Sequence, residues 1–395
     1  MANLSQDRLK GLHRVMEGHV QKGVPGVVYG IYRKGELSVE AVSGSESYKR
    51  DTIFRIASMS KPVAAVAAMI LVEECKIRLD EPVDALLPEL ANPRVLSSME
   101  SGIEDTVAAN RAITTRDLLT FTFGSGVEMA APGTYPIQRA TDEKKLGIGM
   151  PRPQEAPEPN EWMKRFGELP LMAQPGEKWI YHTGADVLGV LIARASGLSF
   201  GDFLQERVFG PLGMKDSGFW VPPDKIDRLP KSYHTNFSNM KVELYDDPAT
   251  GQWSKPPAFE GGGGGMVSTV DDYLAFSQMM LKGGTHNGAR ILSRPSIELM
   301  TSDQLTDAQK AGGSLVPGYW DRNGFGFCVS VVTKRHWIHT TPGQYGWDGG
   351  LGTVWRCDPA EDMATVLMTQ QAFTSPILPL VCQDFLTSAY QTIDS

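Results

Sequence analysis

Apolar residues Leu9, Leu12, Val15, Met16 and Val20 recur at spacings of three and four, so residues 4–23 are predicted to form an amphipathic helix ended by Gly23. Two strand-like runs follow, residues 27–33 and 37–43, joined by Lys34-Gly35-Glu36 in a hairpin pattern. Residues 62–74 are rich in Ala, Met, Leu and Val, which predicts a buried helix. From about residue 90 to residue 260 the pattern turns helical and loop-rich, with short helices expected at 115–122 and 185–196. The Pro- and Glu-rich residues 150–160 read as a loop that could cover a pocket. Five consecutive glycines, residues 261–265, precede a helix expected at 271–281. Strand patterns return at 326–333, 352–356 and 364–369, and a helix at 376–392 closes the chain.

Strands near both ends with helices between them predict an α/β fold whose sheet is assembled from the two termini. The expected division is residues 1–90 with 265–395 as the sheet unit and 91–264 as a mainly helical unit whose loops cover a cleft. The 395 residues, 41% hydrophobic and 21% charged, suffice for a large core of ordinary globular composition. A net charge of −8 argues against a nucleic-acid partner, which would require clustered Lys and Arg. No apolar run approaches the roughly 18 residues that span a bilayer, and the opening MANLSQDRLK lacks the apolar core of an export signal. Neither nucleic acid nor membrane is therefore an expected partner, and the expected compartment is the cytoplasm. Cys75, Cys328, Cys357 and Cys382 form no C-x-x-C pair, and the seven histidines form no H-E-x-x-H, so no metal site is expected.

The candidate chemistry is Ser58-Met59-Ser60-Lys61. On a helix, residues three apart share a face, so the Lys61 amine can reach the Ser58 hydroxyl. Serine is a weak nucleophile until a base takes its proton, and a lysine kept neutral by burial can be that base. A second match, Ser238-Asn239-Met240-Lys241, lies in a polar stretch with no helix after it, whereas Ser58 opens an apolar helix. The five glycines lack the Lys-Ser/Thr of a phosphate-binding loop and read as a flexible or tightly packed turn.

The segment Phe54-Arg55-Ile56-Ala57-Ser58-Met59-Ser60-Lys61-Pro62 resembles the nucleophile motif of class C β-lactamases and their relatives. Those relatives include penicillin-binding peptidases, family VIII carboxylesterases and fungal acyltransferases of the statin pathway. The likeness extends over roughly residues 10–390. Ile113-Thr114-Thr115-Arg116-Asp117-Leu118-Leu119-Thr120, Pro175-Gly176-Glu177-Lys178-Trp179-Ile180-Tyr181 and residues 263–272 are similar to further family segments. The resemblance implies a mostly antiparallel sheet flanked by helices. It also implies a catalytic tyrosine, and of the two Tyr-His-Thr triplets it selects Tyr181 over Tyr233.

The departures from the family pattern bear on substrate. Tyr-x-Asn is replaced by Tyr181-His182-Thr183, and the strand motif Lys-Thr-Gly by Trp347-Asp348-Gly349-Gly350, which looks like the Trp-x-Gly of family VIII esterases. Without the strand lysine a substrate carboxylate loses its expected anchor, and Asp348 is expected to repel an anion. The expected function is a serine carboxylesterase acting on small esters through a Ser58 acyl-enzyme, with no cofactor. Lys61 and Tyr181 would handle the protons, and the N–H groups of Ser58 and Gly350 would hold the oxyanion. Trp347, Asp348 and Gly349 are expected at the substrate. A β-lactamase or peptidase-type amide hydrolase, an acyltransferase and a catalytically silent binding protein are the alternatives. His182 is expected to face solvent, Asp117 to sit on a helix surface, and His339 to be structural.

Overall fold

All eight residues of the strand Gly26–Arg33 are buried, which is the signature of a strand covered on both faces. In the computed structural model, which describes residues 3–394, this strand lies inside a seven-stranded sheet. The order is Asn323–Phe325, Ser330–Val332, Tyr345–Gly349, Thr353–Asp358, Met363–Met368, Gly26–Arg33 and Glu36–Ser43, every neighbour antiparallel. The first strand of the chain is thus paired with the last, Val28 opposite Met368, so the sheet joins the two ends of the sequence.

One sheet face is covered by the helices Gln6–Gln21 and Leu380–Gln391, where Leu12, Met16, Tyr29, Phe385 and Leu386 share a core. The other packs on the helix Val270–Leu281 and continues into the larger core around Ser60–Glu73 and Gly184–Ser196. Twelve residues of Ser60–Glu73 are buried, which its all-round apolar sequence requires. Among the described residues no single helix is long and apolar enough to cross a membrane.

Several local expectations need correction. The single strand expected at 326–333 is two short strands separated by a turn in which Cys328 has φ 58°. The strand Tyr345–Gly349 escaped the pattern because three of its five residues are Gly or Asp, poor strand formers held there by pairing on both sides. The polar stretch around Tyr233 is a hairpin, Ser232–Asn236 with Lys241–Asp246, rather than a loop. Pro159 and Asn160 open the helix Pro159–Gly167. The C-terminal helix starts at Leu380, leaving residues 376–379 outside it. Asp117 is buried, not on a helix surface: it completes a capping box with Thr114 and takes Arg111 at 2.6 and 2.9 Å.

The segment leading to Ser58 is anchored by a buried ion pair. Arg55 is fully enclosed and donates through Nε to Asp246 at 2.8 Å and through a terminal nitrogen to the Pro230 carbonyl at 2.7 Å and to Gln370 Oε1 at 2.8 Å. Removing the carboxylate strands a guanidinium without water. Asp246→Ala is therefore expected to lower the unfolding free energy by about 3–5 kcal/mol, read from urea denaturation.

Candidate active site

The chain passes from the strand Phe54–Arg55 into the helix Ser60–Glu73 through a tight turn, Ala57–Met59. Ala57 sits there at φ 43°, a left-handed conformation that a non-glycine residue holds only where its surroundings impose it. The turn projects Ser58 into a cavity and leaves its N–H in the first turn, which has no intrahelical acceptor.

Lys61 follows on the same helix face, wholly excluded from solvent. Its Nζ lies 2.9 Å from Ser58 Oγ, within hydrogen-bond distance, lies 3.0 Å from His182 Nδ1, and contacts the Gly263 carbonyl oxygen. Burial brings the Lys61 pKa down to about 7, against the opposing pull of Asp186 and Cys328. A lysine in this setting is substantially neutral at physiological pH.

Tyr181 completes the group. Its ring stacks on Trp179 at 5.7 Å, Lys61 Nζ lies 4.7 Å from its centroid, and its hydroxyl accepts from Trp347 Nε1 at 3.0 Å. Burial pushes the phenol above its ordinary value, while hydrogen bonds with Ser58 and Trp347 pull the other way. Tyr181 is therefore a protonated acid at neutral pH.

Ser58, Tyr181, Trp347, Asp348 and Gly350 line one cavity of about 570 Å³. Val127, Met129, Phe237, Leu351 and Phe373 give it an apolar wall, and Met150 with Pro151 brings the Pro-rich loop against it. Two of the expected substrate residues behave otherwise than the sequence suggested. Asp348 does not present a free negative charge, because Arg356 on the adjacent strand holds its carboxylate at 2.5 and 3.0 Å. Gly349 is packed away from the cavity: a Cβ there would come within 2.2 Å of the Ile56 carbonyl oxygen. Its lack of a side chain lets the strand lie against the turn that carries Ser58.

The duplicate motifs lie elsewhere. Ser238 and Lys241 are exposed in the hairpin, and Tyr233 is a strand residue donating to Glu46 at 2.7 Å. His339 lines the same cavity, and its burial, with Arg356 nearby, lowers it to about 4. Trp253 is a core residue bonded to the Gly265 carbonyl at 2.8 Å.

Sequence reasoning missed His182, Asp186 and Gly263. His182 is buried rather than solvent-facing, because its ring is enclosed between Lys61 and Asp186. The available signal was the His182/Asp186 spacing of four beside the selected tyrosine. The glycine run is a packed turn: Gly262–Gly265 are buried, and Gly263 donates to Asp186 Oδ1 at 2.8 Å.

The family model described as Beta-lactamase matches residues 12–378. Protein Rv1367c of Mycobacterium tuberculosis is 37% identical over 343 residues, covering 85% of this chain and 81% of that protein. Esterase EstB of Burkholderia gladioli is 28% identical over 367 residues, covering 89% of this chain and 85% of the esterase. Among solved structures, EstCE1, described as a hydrolase with promiscuous acyltransferase activity, superposes with TM-score 0.77 at 24% identity. That match covers 98% of this chain and 99% of EstCE1. With a match over nearly its whole length and this antiparallel architecture, the chain belongs to the β-lactamase family and is a serine hydrolase on the β-lactamase and penicillin-binding-protein fold.

Proposed function

We propose that the protein is a carboxylesterase that acylates Ser58, with Lys61 as general base and Tyr181 as general acid. The observation that carries this reading is the buried amine 2.9 Å from the Ser58 hydroxyl, with its pKa brought down to about 7. In the proposed cycle the Ser58 proton passes to Lys61 as Oγ bonds to the ester carbonyl carbon. The resulting oxyanion is held by the N–H groups of Ser58 and Gly350. On collapse the carbon–oxygen bond to the alcohol breaks, the Tyr181 hydroxyl protonates the departing alkoxide, and the Lys61 ammonium restores the tyrosine proton. Water then attacks the acyl carbon with Lys61 again as base; collapse breaks the bond to Ser58 Oγ, which takes its proton back from the Lys61 ammonium, and the acid is released.

Esters are favoured over β-lactams because the strand lysine is missing and both terminal nitrogens of Arg356 are engaged by Asp348. The cavity is larger and more apolar than the compact esters expected from the sequence require, so the proposed substrates carry a bulky apolar group. The unpaired thiols of Cys75, Cys328, Cys357 and Cys382 support a cytoplasmic location, where disulfides do not persist.

A p-nitrophenyl ester series assayed beside nitrocefin tests this reading. From acetate to hexanoate, kcat/KM is expected to rise at least ~10-fold, as each methylene finds apolar wall. Turnover of nitrocefin exceeding that of every ester would reverse the assignment to esters.

A further inference from the structure

Behind Lys61, three hydrogen bonds and one close His182–Asp186 contact form a ring, and His182 also lines the cavity. Lys61 Nζ contacts the Gly263 oxygen, and Gly263 N–H donates to Asp186 Oδ1 at 2.8 Å. Asp186 Oδ2 lies 3.3 Å from His182 Nε2, and His182 Nδ1 lies 3.0 Å from Lys61 Nζ. His182 and Asp186 are each only 7% exposed, so water competes little for these contacts.

The donor and acceptor roles follow from chemistry. A carboxylate and a carbonyl oxygen can only accept. Asp186 therefore claims the proton on His182 Nε2, which leaves Nδ1 with its lone pair. Burial, with Lys61 adjacent, holds the imidazole below its ordinary pKa despite Asp186, so it carries one proton. A neutral Lys61 has two hydrogens and one lone pair. Gly263 oxygen and His182 Nδ1 take the two hydrogens, and the remaining vertex, facing Ser58 Oγ, is the lone pair. We infer that His182, oriented by Asp186, is a positioning residue that turns the Lys61 lone pair onto the Ser58 hydroxyl.

Two features of the backbone support the inference. His182 has φ 92°, a conformation disfavoured for a residue with a side chain, and the ring holds it there. Gly263 leaves room for the carboxylate, since a Cβ at that position would lie 2.7 Å from Asp186 Oδ2. The titratable groups facing Lys61 are Tyr181 and His182 before the helix Gly184–Ser196, Asp186 within it, and Cys328 from the turn between two sheet strands.

The inference rests on the proposed Ser58/Lys61 mechanism, and the experiment separates the two. In the full-length protein labelled with ¹⁵N-histidine, His182 should show a protonated Nε2 and an unprotonated Nδ1 at neutral pH, a readout independent of activity. In Asp186→Asn the side-chain oxygen stays with Gly263 N–H, so the NH₂ faces Nε2 and forces the proton to Nδ1. Lys61 must then spend its lone pair on His182. The expected result is a fall of ~10²–10⁴-fold in kcat, as for other misoriented general bases, with KM within ~3-fold. His182→Ala should show a similar kcat loss and a displaced acid limb, whereas His182→Asn, whose Oδ1 can replace Nδ1, should remain within ~10-fold of the parent. Failure of a fluorophosphonate to label Ser58 would defeat the parent mechanism. Labelled Ser58 together with a protonated Nδ1 in the parent protein, or with unchanged kcat in folded Asp186→Asn, would defeat the positioning role alone.

Discussion

Ser58→Ala is expected to reduce ester hydrolysis by about 10⁴–10⁶-fold, the loss seen when a nucleophile acting with its base is removed. The methyl group leaves the turn intact: Ser58 makes no helix-capping bond, and its neighbours Ala57 and Met59 are already buried by their own contacts. The loss should thus fall on kcat with little change in melting temperature. Intact-mass analysis after a short exposure to a p-nitrophenyl ester should show one added acyl group on the parent and none on the variant. An acyl group that persists in Ser58→Ala would mean that another side chain is the nucleophile.

The next largest effect concerns Lys61. In the proposed cycle neutral amine accepts the Ser58 proton, and ammonium cannot, so activity should be gained as pH rises through the lysine pKa of about 7. Below that value kcat/KM should fall about tenfold per pH unit, reaching about one hundredth of its plateau near pH 5. The depressed value comes first from burial, which penalises the charged form, while Asp186 and Cys328 act in the other direction. Lys61→Met, of similar length but without a titrating nitrogen, is expected to lose about 10²–10⁴-fold in kcat and to abolish that acid limb. A retained limb with the same midpoint would assign the titration to a different group.

Much of this site is legible in the amino-acid order. The Ser58/Lys61 pair is a local relation, three residues on one helix, and the apolar stretch after it announces burial, the condition for a neutral lysine. The hairpin of Gly26–Arg33 with Glu36–Ser43 and the helix Gln6–Gln21 are equally local, since each is written in a periodicity of adjacent residues. Tyr181 is found only through a resemblance, because a lone tyrosine carries no spacing that marks it as chemical.

What stays hidden depends on partners brought in from elsewhere. His182 reads as a polar residue beside a helix start until Lys61, 121 positions earlier, is packed against its ring. Asp348 reads as an exposed anion until sheet register sets Gly346 opposite Arg356, whose guanidinium then reaches along to the carboxylate. Asp117 reads as a surface residue until Arg111 and the cap of Thr114 close over it.

Most of the helices, the hairpin near the start of the chain and the candidate Ser58/Lys61 pair follow from the order of residues alone, since they depend on side chains a turn or a strand apart along the backbone. The protonation states, the sign of charge at the substrate and the size of the pocket arise only when distant segments pack together. Those quantities depend on desolvation and on charges a few ångströms apart in space, and neither is encoded in the spacing of letters along the chain.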